Sequence, residues 1–295
     1  MVSYAKWDNF GDSSDDDDAA AAPAAARAPA AARGGAMPIP PVITMTSKDG
    51  YPHADAWRRL NGEHCFVATY DDAAALAFVR EHYPWIAGDY AGLGHGVERA
   101  DLFRYLAVHR NAGAYADSDA APLAPLEGWF ARFGYSPHLA AQHVLVVGVE
   151  FPWACDGNEL QLCQWAFAAT TPQHPALYAA AAAAAANAKA IPFSKDNVTR
   201  RTGPVAFTKA VLGFLRELGR GDAVDALARD FAEPDGLYVA LDEAECGVLV
   251  LPYRAFGYHP GPFHAKIAEE RGARAPVAEP AGQRLVQHGF RGSWR

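Results

Sequence analysis

The most informative part of the sequence is a helix-like segment followed by a short apolar segment and two aspartates: Val97-Glu-Arg-Ala-Asp-Leu-Phe-Arg-Tyr-Leu-Ala-Val-His-Arg110, then Gly113-Ala-Tyr-Ala-Asp-Ser-Asp119. The apolar residues of the first segment recur at helical spacing. Gly113 interrupts this pattern, and the residues after it predict a strand that ends at Asp117. Because ligands of open α/β sheets bind beyond the carboxyl ends of strands, the acidic pair predicts a functional site.

On both sides of this segment, the same alternation of helices and strands continues through most of the chain. Strands are predicted over 39–44, 64–69, 144–149, 247–251 and 284–287. Further helices are predicted over 54–60, from an Asp71 cap to about residue 82, and over 158–170, 174–189 and 204–219. Residues 144–149 are almost continuously apolar and β-branched, which is typical of a strand buried on both faces. The pattern therefore predicts the α/β class, with a mostly parallel sheet flanked by helices.

The charge balance argues against a nucleic-acid partner. The 295 residues include 26 Lys and Arg against 34 Asp and Glu, for a formal net charge of −8. Proteins that bind nucleic acids gain much of their affinity from basic residues that neutralise phosphates, and this chain has an acidic surplus. Hydrophobic residues make up 51 % of the chain, which is enough for a sizeable core.

Composition divides the chain into a tail and one domain. Residues 1–36 hold the run Asp15 to Asp18 and then mostly Ala, Pro, Arg and Gly, so we expect a disordered tail. Residues 37–295 are expected to form a single domain. The four cysteines, at 65, 155, 163 and 246, show no Cys-x-x-Cys pair and are expected to be buried free thiols. The sequence shows neither a signal peptide nor a membrane anchor, which by itself predicts a cytosolic protein.

Two sets of charged residues near the end of the predicted strand could carry chemistry. Asp117 and Asp119 in one turn offer oxygen ligands to a hard divalent cation, which in turn binds a diphosphate, although paired aspartates are also common in ordinary turns. Asp101 and Arg104 share one face of the preceding helix. They form either an ion pair on a solvated face or a charged edge that points into a cleft beside Asp117, where Arg104 could hold a phosphate or a sugar hydroxyl.

These residues also carry a resemblance. Arg99-Ala-Asp-Leu-Phe-Arg-Tyr105 followed by Gly113-Ala-Tyr-Ala-Asp-Ser-Asp119 resembles the aspartate-x-aspartate (DXD) region of glycosyltransferase family 32, and in particular its initiating α-1,6-mannosyltransferases. The resemblance covers about residues 38 to 295. Further matches follow in family order: Ile39-Pro40, Gln161-Leu-Cys-Gln-Trp165, His174-Pro175, Thr202-Gly203-Pro204, Val248-Leu-Val-Leu-Pro252 and His288-Gly-Phe-Arg-Gly-Ser-Trp294.

The resemblance implies a GT-A fold, that is, a twisted Rossmann-like nucleotide-sugar domain. It implies a nucleotide-sugar donor, GDP-mannose in preference to a UDP-hexose, a glycan acceptor, Mn²⁺ or Mg²⁺ as cofactor, and a retained anomeric configuration. The metal ligands it implies are Asp117, Asp119 and His288. The donor-binding residues it implies are Thr46, Asp101, Arg104, Tyr105, Asp117, Ser293 and Trp294.

A retaining transfer forms the new bond on the face that the leaving group vacates, either directly or through a covalent intermediate. Glu150 follows the predicted buried strand and is the candidate nucleophile or acceptor-orienting residue, so the expected catalytic set is Asp101, Arg104 and Glu150. A surface carboxylate at a strand end explains Glu150 equally well.

Two departures from the family pattern bear on the donor. Thr44-Met-Thr-Ser47 stands where the family has His-Gln-Thr-Trp, so an aromatic residue that would stack on the nucleotide base is missing. Ala112-Gly113 replaces a glycine pair. These changes keep open a second interpretation, a catalytically silent sugar-binding or scaffold protein with the same fold. A haloacid-dehalogenase-type phosphatase and a dinucleotide loop at residues 92–96 fit the sequence less well, because their remaining motif residues are missing.

The N-terminal tail has a resemblance of its own. Met1-Val-Ser-Tyr-Ala-Lys-Trp-Asp8, followed by two serines and four aspartates, is similar to the extreme N-terminus of the chaperone cofactor that recruits protein kinases. This similarity predicts contact with a chaperone through the tail and a cytosolic location. The resemblance to membrane-anchored mannosyltransferases predicts the Golgi instead.

Overall fold

The structure, a computed structural model, describes residues 39–133, 143–151, 160–229, 237–240, 246–256 and 284–289. The predicted tail, Cys155, Ser293 and Trp294 lie outside these ranges. In chain order the elements are β1 (Val42–Thr46), α1 (Ala54–Asn61), β2 (Phe66–Tyr70), α2 (Asp72–His82), α3 (Pro84–Gly92), α4 (Gly96–Asn111), β3 (Gly113–Ala116), β4 (Ala120–Pro122), α5 (Gly128–Ala131), β5 (His143–Phe151), β6 (Gln161–Leu162), β7 (Ala166–Ala169), α6 (Pro175–Ala190), α7 (Val198–Arg201), α8 (Pro204–Glu217), α9 (Gly221–Arg229), β8 (Leu237–Ala240), β9 (Cys246–Leu251), α10 (Tyr253–Phe256) and β10 (Val286–His288).

The main sheet has eight strands in the order β2-β1-β3-β7-β5-β9-β8, with β6 paired to β5 beside this path. Strands β1, β2, β3, β5 and β9 run in one direction, and β6, β7 and β8 run in the other. The sheet is therefore mixed but mostly parallel, and the predicted α/β class is confirmed.

Helices cover both faces of this sheet, because the central strands are apolar on both sides. Along β5, Leu145 and Val147 face the cluster formed with α2, α3, α4, α6 and α8. Val144 and Val146 face the opposite cluster, which includes residues of α1, α5 and α10. This alternation of faces is the two-residue period of a strand, and burial on both faces explains why residues 144–149 read as a continuous apolar run.

The predicted helix over 158–170 is wrong. Residues 161–162 and 166–169 are the strands β6 and β7, and β7 lies between β3 and β5 with antiparallel pairing to both. Every residue of β7, Ala166 to Ala169, is buried in the sheet. Alanine and glutamine favour helices locally, but burial between two strands outweighs that small intrinsic preference. Seven further elements of the described ranges were not predicted: α3, α5, α7, α9, α10, β4 and β8.

A tight turn joins α4 to β3 and sets the position of the strand. Ala112 and Gly113 both have positive φ angles, 57° and 77°. A Cβ atom on Gly113 would lie 2.4 Å from the carbonyl oxygen of Val42, so β3 approaches β1 more closely than any residue with a side chain would permit. This close approach fixes the position of β3 against β1.

A second, two-stranded sheet pairs β10 with β4, and His288 lies opposite Ala120. Cys65, Cys163 and Cys246 are buried free thiols, as expected. Among the helices of the described ranges, none combines the length and the apolar character needed to cross a membrane.

Candidate active site

The predicted site residues meet at one edge of the sheet because of strand direction and helix polarity. Strands β1 and β3 are parallel, with Thr44 opposite Tyr115, so Thr46 and Asp117 reach the same edge. Helix α4 precedes β3 and turns back into it, so the first half of α4, with Asp101 and Arg104, lies over that edge as well. Thr46 is partly buried there.

Arg104 is the centre of the site. Its guanidinium lies 3.0 Å from Asp101 Oδ1 and 3.3 Å from Asp117 Oδ1. The same group donates hydrogen bonds to the carbonyl oxygens of Ala100 and Gln164, both at 3.2 Å. The guanidinium carbon also lies 4.7 Å from the centre of the Tyr115 ring. The guanidinium thus contacts two carboxylates and two backbone carbonyl oxygens.

Asp101 is buried and fully hydrogen-bonded. Gln164 Nε2 donates to one carboxylate oxygen at 2.9 Å, and the Thr202 hydroxyl donates to the other at 2.8 Å. Asp101 is 1 % exposed and Arg104 is 4 % exposed. Of the two interpretations of this pair, a solvated surface ion pair is therefore wrong, and a charged edge beside Asp117 is what the structure shows.

Burial and neighbouring charges act in opposite directions on the pKa of each member of this pair. Burial raises the pKa of Asp101 to about 6, against the opposing effect of the Arg104 charge and of the hydrogen bonds from Thr202 and Gln164. Burial alone would lower the pKa of Arg104, but Asp117, Tyr115 and Asp101 reverse this and raise it above its ordinary value. The guanidinium therefore stays charged and anchors the carboxylates around it.

Asp117, Asp119 and His288 form a three-residue cluster whose ligand atoms all lie within 4.8 Å of one another. His288 Nε2 is 3.1 Å from Asp119 Oδ1 and 3.5 Å from Asp117 Oδ2. The pairing of β10 with β4 brings the histidine here, and the Gly289 amide donates to the Asp119 carbonyl oxygen at 3.0 Å. Two carboxylates and an imidazole are a donor set that fits a divalent cation.

The electrostatics of the cluster keep both of its ends charged. Burial would raise the pKa of Asp117, but the charges of Arg104 and His288 and a hydrogen bond from Tyr115 lower it. Burial would lower the pKa of His288, but Asp117 and Asp119 raise it to about 9. The Tyr115 hydroxyl donates to Asp117 Oδ1 at 2.8 Å, so this carboxylate is oriented as well as ionised.

Trp165 connects the cluster to Glu150. Its ring lies 4.6 Å from the His288 ring, centre to centre, and its Nε1 donates to Glu150 Oε1 at 3.2 Å. Gln161 Nε2 donates to the other Glu150 oxygen at 2.8 Å. Glu150 is only 6 % exposed, so it is not a surface carboxylate. Burial raises its pKa, against the opposing effect of the hydrogen bond from Gln161.

Tyr105 lies behind Asp101. Its hydroxyl is 2.5 Å from Gln164 Oε1 and 2.8 Å from the Thr202 carbonyl oxygen, and its ring stacks on Phe207. It therefore fixes the two residues that hold Asp101. The expected donor contacts of Ser293 and Trp294 lie outside the described residues.

Sequence reasoning did not assign a role to Gln164, Thr202, Tyr115 or Trp165. All four take part in the hydrogen bonds or ring contacts around the acidic residues. A signal for all four was present, because each stands within a motif that matched the family. Their roles come from tertiary contacts, which the motif alone does not specify.

The sequence around these residues is similar to a family of known proteins. Residues 52–134 match the family described as the glycosyltransferase sugar-binding region containing a DXD motif, a range that includes Asp101, Arg104, Asp117 and Asp119. The DXD pair of that description is Asp117-Ser118-Asp119, the pair that lies beside Arg104 and His288.

Two curated relatives match almost the whole chain beyond the tail. The initiation-specific α-1,6-mannosyltransferase of Schizosaccharomyces pombe is 30 % identical over 279 residues, which cover 87 % of this chain and 64 % of that protein. The enzyme of the same name from Candida albicans is 24 % identical over 291 residues, covering 88 % and 72 %. A solved structure, the PaToxG glycosyltransferase, superimposes with a TM-score of 0.35 at 16 % identity, covering 65 % of this chain and 77 % of that one.

Proposed function

We propose that the protein is a metal-dependent, retaining glycosyltransferase that transfers a hexose, mannose in the first place, from a nucleotide sugar to a glycan acceptor. The observation that carries this proposal is the meeting of Asp117, Asp119 and His288 beside the Arg104 anchor. The DXD family match and the names of the two mannosyltransferase relatives support it. A GT-A arrangement of the domain is part of the proposal.

Asp117, Asp119 and the neutral imidazole of His288 would hold the cation, so binding of the cation would release the proton that His288 carries at neutral pH. A nitrogen ligand beside two carboxylates favours a first-row transition ion such as Mn²⁺ over Mg²⁺, which prefers oxygen ligands throughout. When bound, the cation supplies positive charge that stabilises the departing diphosphate. The three side chains come from the β3–β4 turn and from β10, so two segments of the chain must be packed together before the set is complete.

Arg104 and Asp101 prepare the donor side of the site. Because its guanidinium already contacts two carboxylates and two backbone carbonyl oxygens, Arg104 acts chiefly by holding Asp101 and Asp117 in fixed positions. Fixed charges and donors that need no rearrangement during the reaction are the largest source of transition-state stabilisation in many enzymes. We assign the donor sugar to the edge of this pair, with Thr46 at the end of β1 on the nucleotide side.

Glu150 supports a retaining reaction in one of two ways. As a nucleophile it would have to give up hydrogen bonds, because both of its carboxylate oxygens already accept one, from Gln161 and from Trp165. This arrangement favours direct transfer on the vacated face, with Glu150 holding Trp165 against His288. A covalent glycosyl intermediate on Glu150 is the alternative.

Nucleotide release from a panel of donors tests the proposal. The full chain is incubated with Mn²⁺ and with GDP-mannose, UDP-galactose, UDP-glucose or UDP-N-acetylglucosamine, since slow donor hydrolysis needs no acceptor. We expect release from GDP-mannose that is lost with a chelator and in Asp117→Ala, and retained in Asp55→Ala, which removes an exposed aspartate on α1. Absence of release from every donor, without any metal-dependent thermal shift, would favour the silent sugar-binding or scaffold alternative.

Two predictions about the protein in the cell belong with this proposal. The resemblance to membrane-anchored mannosyltransferases predicts that the protein resides in the Golgi, whereas the resemblance of the tail predicts the cytosol. Fluorescence microscopy of the full chain distinguishes the two locations. Contact of the tail with a chaperone predicts that deleting residues 1–18 abolishes chaperone co-purification. Unchanged co-purification would remove that role from the tail.

A further inference from the structure

A groove between α3 and α6 lies outside the candidate active site. It contains a pocket of about 190 Å³ lined by Gly88, Asp89, Gly92, Leu93, Leu102, Ala185, Ala188, Lys189 and Arg201. None of Asp101, Arg104, Asp117 and Asp119 lines it. The volume is below the range of about 300–1,000 Å³ that is typical for drug-sized ligands, so the pocket fits a ligand unit about the size of one sugar ring.

The pocket lining combines charged and apolar side chains, as a binding site for a sugar ring requires. Asp89 and Lys189 form an ion pair at 2.8 Å across the groove, and both side chains remain partly exposed. Such charged groups donate and accept strong hydrogen bonds with hydroxyls. The walls between them are the apolar side chains of Leu93, Ala185 and Ala188. Gly88 adds free space, because no atom lies within 4 Å of the position that its Cβ would occupy.

Exposed aromatic rings lie in or next to the elements that form this groove, with Trp85 in α3 and Phe193 three residues after the end of α6. Trp85 is 42 % exposed and packs against Tyr178 of α6, with ring centres 5.3 Å apart. Phe193 is 39 % exposed and stacks on His95, and the Arg201 guanidinium lies 5.8 Å from the Phe193 ring centre. Aromatic rings bind the apolar face of a sugar, so a row of ring, charged pair and ring suits several linked sugar units.

The groove also connects to the candidate active site. His95 precedes the first residue of α4, and Asp101 lies six residues further on, about 9 Å along the helix axis. Arg201 lines the pocket and forms an ion pair with Glu98 at 2.5 Å. The next residue in the chain, Thr202, donates a hydrogen bond from its hydroxyl to Asp101. Both Glu98 and Arg201 are buried, so the pocket is tied rigidly to the residues that hold Asp101.

We propose that the α3–α6 groove binds a segment of the acceptor glycan, with one sugar ring in the pocket and flanking rings on Trp85 and Phe193. The choice of ligand rests on the proposed transferase function; the site itself is separate from the donor residues. The groove extends recognition of the acceptor beyond the sugar that receives the new bond.

Direct binding tests this inference without requiring transferase activity. The dissociation constant of an α-linked mannotriose for the full chain is measured by calorimetry or ligand-observed NMR. We expect Trp85→Ala and Gly88→Leu each to weaken binding at least fivefold. Gly88 lies in a helix with open space around its Cβ, so leucine fills the pocket without a clash and with a better helix propensity.

Matched variants control for general effects. Phe66→Ala removes an exposed aromatic ring elsewhere, and Gly213→Leu places the same side chain on α8, where the space around the Cβ is also open. Both should bind mannotriose as the unmodified chain does. Equal affinity in Trp85→Ala and Gly88→Leu would overturn the groove assignment, as would absence of mannotriose binding while donor hydrolysis is intact.

The source of the sugar is resolved by a second ligand. Methyl α-mannoside fills one ring position only, so we expect it to bind at least tenfold more weakly than mannotriose. Equal affinity for the two would assign the pocket to a free monosaccharide and overturn the acceptor assignment. Absence of donor hydrolysis by the unmodified chain would count against the proposed function but not against the groove. The groove variants leave every donor residue in place, so their effect on mannotriose binding is measured independently of donor hydrolysis.

Discussion

Thr202 and Asp101 are 101 positions apart in the chain, yet the Thr202 hydroxyl donates to Asp101 Oδ2 at 2.8 Å. Neither residue is more than 1 % exposed, so water does not replace this bond. The loop that follows α7 is in this way part of the site formed by α4 and β3. The contact explains how a carboxylate can be held ionised and oriented in a buried position.

Replacing Thr202 with valine should destabilise the protein. The substitution keeps the shape of the side chain but leaves one oxygen of a buried carboxylate without its donor, which costs about 1–3 kcal/mol. We expect a lower free energy of unfolding in urea and weaker binding of the donor. Thr199→Val, on the helix α7 that precedes Thr202, is the matched control. An unfolding curve that overlays that of the unmodified chain would show that the bond is not important.

Asp119→Ala should abolish metal-dependent donor binding with little change in thermal stability. The substitution removes the 3.1 Å contact with His288, but it also relieves the repulsion between the like charges of Asp119 and Asp117, and the two effects offset each other. The contact of residue 119 with Gly289 uses a backbone oxygen that the substitution keeps. A midpoint within about 2 °C of the unmodified chain is expected from differential scanning fluorimetry without metal. Donor binding measured with and without Mn²⁺ supplies the functional readout. If Asp119→Ala still bound donor in a Mn²⁺-dependent way, the residue would not be a ligand.

Glu150→Gln separates the two roles of this carboxylate. The amide keeps the shape of the side chain and one of its acceptors, so a residue that positions Trp165 should retain donor hydrolysis within about tenfold of the unmodified rate. A nucleophile would lose hydrolysis almost completely. We expect the smaller effect, because both oxygens are already engaged. Trapping of a glycosylated Glu150 by mass spectrometry would contradict this expectation.

Gly113→Ala should destabilise the fold by several kcal/mol. The alanine Cβ would lie 2.4 Å from a backbone oxygen of β1, and the positive φ angle of 77° is itself unfavourable for alanine. Gly213→Ala, on α8 with open space around its Cβ, should instead stabilise by up to about 1 kcal/mol. Urea denaturation of both variants measures the difference. Equal stability would mean that β3 can shift away from β1.

Acid should destabilise the protein through buried histidines at the opposite end of the sheet. Burial lowers the pKa of His174 to about 3, and the neighbouring His143 adds to this. Its Nδ1 accepts from the Ala176 amide at 3.2 Å and its Nε2 lies 2.9 Å from the Gly247 carbonyl oxygen, a pattern that the neutral ring satisfies. Burial lowers the pKa of His109 to about 4 as well.

Because the folded pKa of these histidines is below the unfolded value of about 6.5, the unfolded chain binds more protons in acid. Their contribution to stability is present above pH 6.5 and is lost as the pH falls towards 4, at up to about 1.4 kcal/mol per pH unit for each ring. Urea denaturation at pH 7 and pH 5 measures the slope. His174→Asn, which keeps a capping acceptor, should reduce it, whereas His64→Asn on the surface should not.

Much of the site could be predicted because its central part is local in sequence. The helical spacing of α4, the Gly113 break and the aspartates after β3 specify Asp101, Arg104 and Asp117 within one α–β unit. The helices α1, α2, α4, α6 and α8 were predicted close to their observed bounds. In each of these segments local preference and burial agree.

The elements and contacts that were not predicted depend on pairing between residues that are far apart in the sequence. Residues 161–169 carry helix-forming residues but are strands, because β3 and β5 stand on either side of β7. Gln164 and Thr202 reach Asp101 only through the packing of β7 and α7 against α4. No local pattern records which side chain will lie opposite a given carboxylate, so these contacts require the tertiary structure.

The pairing of β10 with β4 has a consequence for how the protein matures. The two aspartates of the cluster are synthesised long before His288, and β4 receives its partner strand only after the helical region between them has been made. A nascent chain folding from its N-terminal side would therefore hold its aspartates in place while the third ligand is still missing. At the proposed metal site, cation capture would be a late event in biosynthesis, and it would report that the chain has been completed through β10.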